Sequence, residues 1–165
     1  MFIGRVTPSK GVFDIPEMAQ SIDRTDLGLV RWTICGEGDG FDALRAQRDT
    51  MGLQDIVDLP GWISLNRLLE IYAQSHAAIV PTRSTFQEAL AITAAEAILA
   101  GRPVILNPVV PAIDLIGPAC LAGDTNDTES HAEQVRLLAC LLACSRQHAL
   151  QSLAASLRWP PRALL

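Results

Sequence analysis

The 165-residue chain has one lysine, Lys10, and its aromatic content is only 5%. Its 13 Lys and Arg residues are dispersed among 18 Asp and Glu, for a net charge of −5. Binding to a phosphate backbone usually shows as a basic patch, so no nucleic-acid partner is expected and any anion site must be local. No CxxC pair occurs, and no histidine is interleaved with Cys35, Cys120, Cys140 and Cys144, which removes a zinc site. The four are read as reduced core thiols, with Cys140 and Cys144 four apart on one helix, and they imply a reducing, cytoplasmic compartment. No apolar run approaches about 20 residues and no basic leader precedes an apolar stretch, so neither a membrane span nor a secretory signal is expected. Repeats, low-complexity tracts and charge blocks are also missing, and no domain boundary is seen.

What is present is a core. With 49% hydrophobic residues, a chain of this length can bury roughly 70% of its unfolded surface as one self-standing domain. Short apolar runs alternate with helix-like stretches. Strands are expected at Phe2 to Gly4, Val30 to Cys35, Ile56 to Leu59, Ala77 to Pro81, Pro103 to Leu106 and Cys120 to Ala122. Helices are expected at Gly11 to Ile22, Phe41 to Met51, Ser64 to Ser75, Ala91 to Ala100, Ser130 to Cys144 with Ser130 as N-cap, and Arg146 to Leu157. Trp159-Pro160-Pro161 ends the regular structure. Near-continuous apolar strands alternating with helices predict a doubly wound α/β domain, a Rossmann-like parallel sheet of about six strands with helices on both faces.

Ligands of such sheets bind outside the carboxyl ends of the strands. After the first strand, Gly4-Arg5-Val6-Thr7-Pro8-Ser9-Lys10-Gly11 places two cations before a helix N-terminus, a combination suited to an anion. After the second, Gly36-Glu37-Gly38-Asp39-Gly40 is a glycine-rich turn that permits close backbone approach and forms a wall of the cleft, without the full dinucleotide fingerprint. After the fourth, Glu88 stands in the loop and Glu96 about two turns into the next helix. Taken alone, the two carboxylates also fit a helix cap and a solvated face. Glu96 lies among Ala94, Ala95, Ala97 and Ile98, where a carboxylate needs donors, and a ribose diol offers two.

The succession of Gly-Arg, Lys-Gly, Gly-x-Gly, Glu-x7-Glu and Ala100-Gly101-Arg102-Pro103-Val104-Ile105 resembles the C-terminal domain of GT-B glycosyltransferases of family 4, the group 1 type, over residues 2 to 142. The resemblance implies that Arg5 and Lys10 grip the pyrophosphate of a nucleoside-diphosphate sugar and that Glu96 binds ribose hydroxyls. It also places Glu88, the catalytic candidate, near the transferred sugar. The backbone amides of Leu90, Ala91 and Ile92 would complete the anion site, and Ile63, edged by Trp62, would meet the base. Gly4, Gly36 and Gly38 line the cleft. The family pattern has Gly where this chain has Ala89, and Gly or Pro where it has Ala91, which puts the sugar contacts in doubt.

By the same resemblance the chain is expected to lack the N-terminal acceptor domain and, alone, to be inactive. The full enzyme would transfer a hexosyl group with retention, peripheral to the membrane at most. No Asp-x-Asp motif is found; Asp124 and Asp127 read as a surface turn, and neither a metal nor another cofactor is expected. Two other readings stay open: a non-catalytic nucleotide-sugar-binding or regulatory module, and another enzyme on the same plan, such as a nucleotide-sugar epimerase or a sugar phosphorylase. A phosphorylase would need a pyridoxal-phosphate lysine, for which none is clear, and an epimerase would need cleft acid and base groups, of which only Glu88 is available. His76, opening a buried strand, and His131 and His148, in late helices away from the cleft, are assigned structural roles. Trp32, Trp62 and Trp159 are read as core or capping aromatics. An uncovered interdomain face predicts self-association.

Overall fold

Ile79 and Ile105 join one apolar cluster while their neighbours Ala78, Val80, Val104 and Leu106 join the other. This is the two-residue period of strands buried on both faces. The computed structural model describes residues 1–23 and 30–144. Its strands are β1 (Phe2–Ile3), β2 (Trp32–Cys35), β3 (Val57–Gly61), β4 (Ala78–Val80), β5 (Val104–Leu106) and β6 (Cys120–Ala122). They alternate with α1 (Asp14–Asp23), α2 (Phe41–Thr50), α3 (Leu65–Gln74), α4 (Ile92–Leu99), α5 (Ala112–Ile116) and α6 (Thr128–Cys144). One cluster gathers Ile15 and Met18 of α1, Leu44 of α2 and Val135 of α6; the other gathers Ile71 and Tyr72 of α3, Ala94 and Ala97 of α4 and Ala112 of α5. Helices therefore cover both faces, as a doubly wound domain requires.

All strand pairings are parallel, in two ladders of three, β1-β2-β3 and β4-β5-β6. The expected single sheet is divided because β1 has only two residues. Two backbone bonds span the division: the Met1 nitrogen donates to the Ala77 carbonyl and the Ile79 N–H to the Met1 carbonyl, each at 2.9 Å. They set the strands in the order 3-2-1-4-5-6, which reverses direction between β1 and β4, the place where such sheets open a crevice.

Several local expectations change. The helix foreseen from Gly11 begins at Asp14, because Pro8–Lys10 forms a tight 3₁₀ turn that Gly11 closes at φ 67°. Helix α6 starts at Thr128 rather than Ser130. Its cap is Asp127, whose Oδ1 accepts from the Ser130 N–H at 2.9 Å, while the Ser130 hydroxyl accepts from the Asp124 N–H. The short α5 follows Pro111 and was not foreseen. Cys35 is buried, but Cys140 is exposed, two residues and so about half a turn from the core residue Leu138. Trp32 is buried as expected, whereas Trp62 is 73% exposed. The helix expected over 146–157, His148, Trp159 and the Cys144 side chain lie outside the described residues. No helix among the described residues is long and apolar enough to cross a membrane.

Candidate functional site

Two loops meet at the reversal between β1 and β4. The turn after β1 needs glycine where it touches the β4 loop: a β-carbon on Gly11 would lie 1.9 Å from the Pro81 carbonyl oxygen. Arg83 fastens the contact, its N–H donating to the Ser9 carbonyl at 2.9 Å and its guanidinium pairing with the buried Asp14 at the start of α1. Across this seam, Lys10 Nζ donates to Glu88 Oε2 at 2.6 Å and Oε1 at 2.9 Å. The same ammonium lies 4.1 Å from the centroid of the Phe86 ring. Glu88 Oε2 also accepts from the Thr82 hydroxyl at 2.9 Å. The structure thus brings together Lys10 and Glu88, two of the charged groups singled out, from separate loops.

Arg5 stands exposed in the β1 loop and its guanidinium meets no acceptor among the described residues. Gly4, Gly36 and Gly38 come together as a wall. The Gly4 N–H donates to the Cys35 carbonyl and the Val6 N–H to the Glu37 carbonyl, and a β-carbon on Gly36 (φ 133°) would fall 1.9 Å from the Gly4 oxygen. Close backbone approach, not flexibility, therefore requires Gly36.

The Glu88 loop ends on α4. Ala91, its N-cap, adopts the left-handed conformation (φ 49°, ψ 72°), a strained choice for a residue with a β-carbon. Its position matches one where the family pattern carries Gly or Pro. The amides of Leu90, Ala91 and Ile92 donate to no group among the described residues, and a helix start of this kind carries partial positive charge. One turn further in, Glu96 Oε2 accepts from the Tyr72 hydroxyl at 3.2 Å. Burial first, and then the charge of Glu96, push the Tyr72 phenol well above its ordinary pKa. Trp62 and Ile63 follow β3 on the same edge of the sheet; Trp62 faces outward, and Ile63 packs partly buried against the cluster that includes Tyr72.

Sequence reasoning missed the supports of these groups: Tyr72, Thr82, Arg83 with Asp14, and Asn107. It also misplaced two histidines. His76 is exposed ahead of β4, because that strand begins only at Ala78. His131 is 3% exposed and lies against Asn107, at the carboxyl end of β5, so it sits beneath the cleft and not away from it. A signal was available for Asn107, a polar residue ending the apolar run Val104–Leu106.

A cavity of about 820 Å³ opens at the other end of the sheet, lined by Met1, Trp32, His76, Ile79, Val135 and Leu138 among others. It faces the amino ends of β2 and β4, where ligands of such sheets do not bind.

The chain is 29% identical over 117 residues to an uncharacterised glycosyltransferase of Methanocaldococcus jannaschii, covering 70% of this chain and 28% of that protein. Among solved structures it is similar to the C-terminal domain of the group 1 glycosyl transferase LpcC from Francisella tularensis, with TM-score 0.74 and 16% identity over 96% of this chain and 82% of that one. It is also similar to Anabaena HepE in complex with UDP and glucose, with TM-score 0.73 and 17% identity over 96% of this chain and 43% of that one. The chain thus spans less than a third of the curated relative's length. The family model of glycosyl transferases group 1 matches residues 1–147, and the chain belongs to that family.

Proposed function

We propose that the chain is the donor-binding half of a retaining hexosyltransferase, holding a nucleoside-diphosphate sugar at the seam between β1 and β4. The observation that carries this reading is the meeting of Lys10 and Glu88 beside the amides that open α4, which donate to no group among the described residues. The pyrophosphate takes its positive partners from Arg5, Lys10 and the α4 amides. Glu96, with one oxygen held by Tyr72, offers the other to a ribose hydroxyl. The exposed Trp62 and the backbone at Ile63 border the base, and Glu88 is the catalytic candidate beside the sugar. The same cationic groups stabilise the departing nucleoside diphosphate, so no metal or other cofactor is called for. The UDP and glucose bound by Anabaena HepE support this choice of ligand class.

Transfer needs the acceptor hydroxyl held against the anomeric carbon in a water-poor cleft. That part belongs to an N-terminal acceptor domain or subunit, an assembly working in the cytoplasm, at most at the membrane periphery. Exposed Trp62, Leu65 and Leu69 supply apolar surface for such a partner or for a second copy.

A second reading, a non-catalytic nucleotide-sugar module, is favoured by Ala89, an exposed residue where the family has glycine. Ala91 carries less weight, because its residue is 7% exposed and its methyl is directed away from solvent. Calorimetric titration with UDP, GDP, ADP and their hexose conjugates separates the two. The donor reading expects one nucleotide to bind, more weakly to Arg5→Ala and Glu96→Ala chains, with its hexose conjugate binding too. Binding of the nucleotide with exclusion of every conjugate would select the second reading, and silence toward all of them would sink both.

A further inference from the structure

Burying a polar side chain is costly unless its partners are supplied. Among the described residues the buried polar or charged side chains are Asp14, Thr82, Asn107 and His131. All four serve one loop. Asp14 holds Arg83, and Thr82 donates to Glu88. Asn107 Nδ2 donates to the Thr82 carbonyl at 2.9 Å, and His131 lies against Asn107.

The direction of each bond follows from its partners. Asn107 Oδ1 accepts from the Val109 N–H at 3.1 Å while Nδ2 donates to Thr82, so turning the amide over would oppose donor to donor and acceptor to acceptor. The second Nδ2 hydrogen is left facing His131 Nε2 at 3.5 Å. On the other side of the ring, Nδ1 lies 2.7 Å from the Asp127 carbonyl, which only accepts. These partners suit the tautomer with its proton on Nδ1 and a lone pair on Nε2.

We infer that Asn107 and His131 are positioning residues for Glu88: the imidazole backs the Asn107 amide and holds it in place, Asn107 fixes Thr82, and the Thr82 hydroxyl sets the carboxylate against Lys10. Neither residue touches ligand. The inference rests on the reading of the Lys10–Glu88 pair as part of the donor site, but its test does not need a nucleotide.

Lys10 is the only lysine in the chain, so its side-chain methylene resonance in a carbon-13-labelled sample reports the ion pair without ambiguity. Glu88→Gln supplies the reference for a broken pair. His131→Leu and Asn107→Leu are expected to move the Lys10 resonance more than half of the way to that reference. His131→Gln, whose amide oxygen can accept from Asn107, should stay near the wild-type position. Gly123→Ala provides a variant that deletes no polar group, since its β-carbon would fall 2.9 Å from the His131 ring; it should shift Lys10 as His131→Leu does. Long-range proton–nitrogen spectra should show His131 as the Nδ1–H tautomer. An unmoved Lys10 resonance in folded Gly123→Ala and His131→Leu chains, or an Nε2–H tautomer, would overturn the inference and leave a brace between β4 and β5. UDP added to the wild-type chain tests the donor reading separately: no response to UDP, with Lys10 still shifted in the variants, upholds the network and removes its assignment to a nucleotide sugar.

Discussion

Lys10 and Glu88 stand 78 residues apart in the chain and 2.6 Å apart in space, with side chains 21% and 10% exposed. A pair this well covered leaves a costly orphan when one member is removed. Lys10→Met is expected to destabilise the fold by about 2 kcal/mol, below the range for a fully buried pair because water still reaches the ammonium. Glu88→Gln, which leaves the more exposed partner, should cost less, and the double variant should recover part of the Lys10→Met loss. Urea unfolding of the three chains measures this; equal and additive losses would show that the pair is not coupled.

Gly11→Ala tests the seam itself. The substitution combines a left-handed φ of 67° with a β-carbon 1.9 Å from the Pro81 oxygen, so backbone must move. A loss of about 3 kcal/mol is expected, together with weakened nucleotide binding, because Lys10 is the adjoining residue. A thermal midpoint within a degree or two of wild type would show that the two loops yield independently.

Ala91→Gly should work in the opposite direction. Relief of the left-handed strain is worth about 1–2 kcal/mol, offset by roughly 0.5–1 kcal/mol of extra backbone freedom in the unfolded chain. A net gain of about 0.5–1 kcal/mol is expected, read by urea unfolding. Tighter pyrophosphate binding would accompany it if the α4 amides form the anion site.

Tyr72 makes stability depend on alkaline pH. Its phenol ionises near 10 when unfolded, and in the fold burial and Glu96 keep it protonated to higher pH. Above pH 10 the unfolded chain then binds fewer protons than the folded one, so stability falls as pH rises, by up to about 1.4 kcal/mol per unit from this group. Tyr72→Phe should cost about 1 kcal/mol at neutral pH through the lost hydrogen bond to Glu96, yet decline less steeply above pH 10. Denaturation midpoints at pH 8, 10 and 11 compare the slopes, with buried Cys35, pushed up to about 11, common to both chains. Parallel curves would place Tyr72 outside the linkage.

The placement of the candidate site's loops was legible because its signals are local. Lys10 before Gly11, the Gly36-Glu37-Gly38 turn, and Glu88 with Glu96 stand out in short stretches of sequence, and each loop lies where strand and helix alternation place it; the roles given to these residues rest on the family resemblance. The misread residues depend on surroundings that spacing does not carry. His76 precedes an apolar run, but its exposure depends on where β4 begins. His131 is polar on a helix face that α6 turns toward the carboxyl end of β5, and nothing within the helix marks that direction. Trp62 is a large aromatic of the kind found in cores, yet the chain leaves β3 with it facing outward.

The sequence by itself determined the alternation of strands and helices, the burial of the sheet on both faces, and the loops that carry charge, because periods of two and 3.6 residues are properties of neighbouring side chains. Only the tertiary structure decided that β1 lies beside β4, and with that adjacency which charges meet. Lys10 finds Glu88 over 78 residues, and Tyr72 finds Glu96 over 24. Such contacts depend on strand order and helix packing, which are settled by burial across the whole core and not by any local pattern.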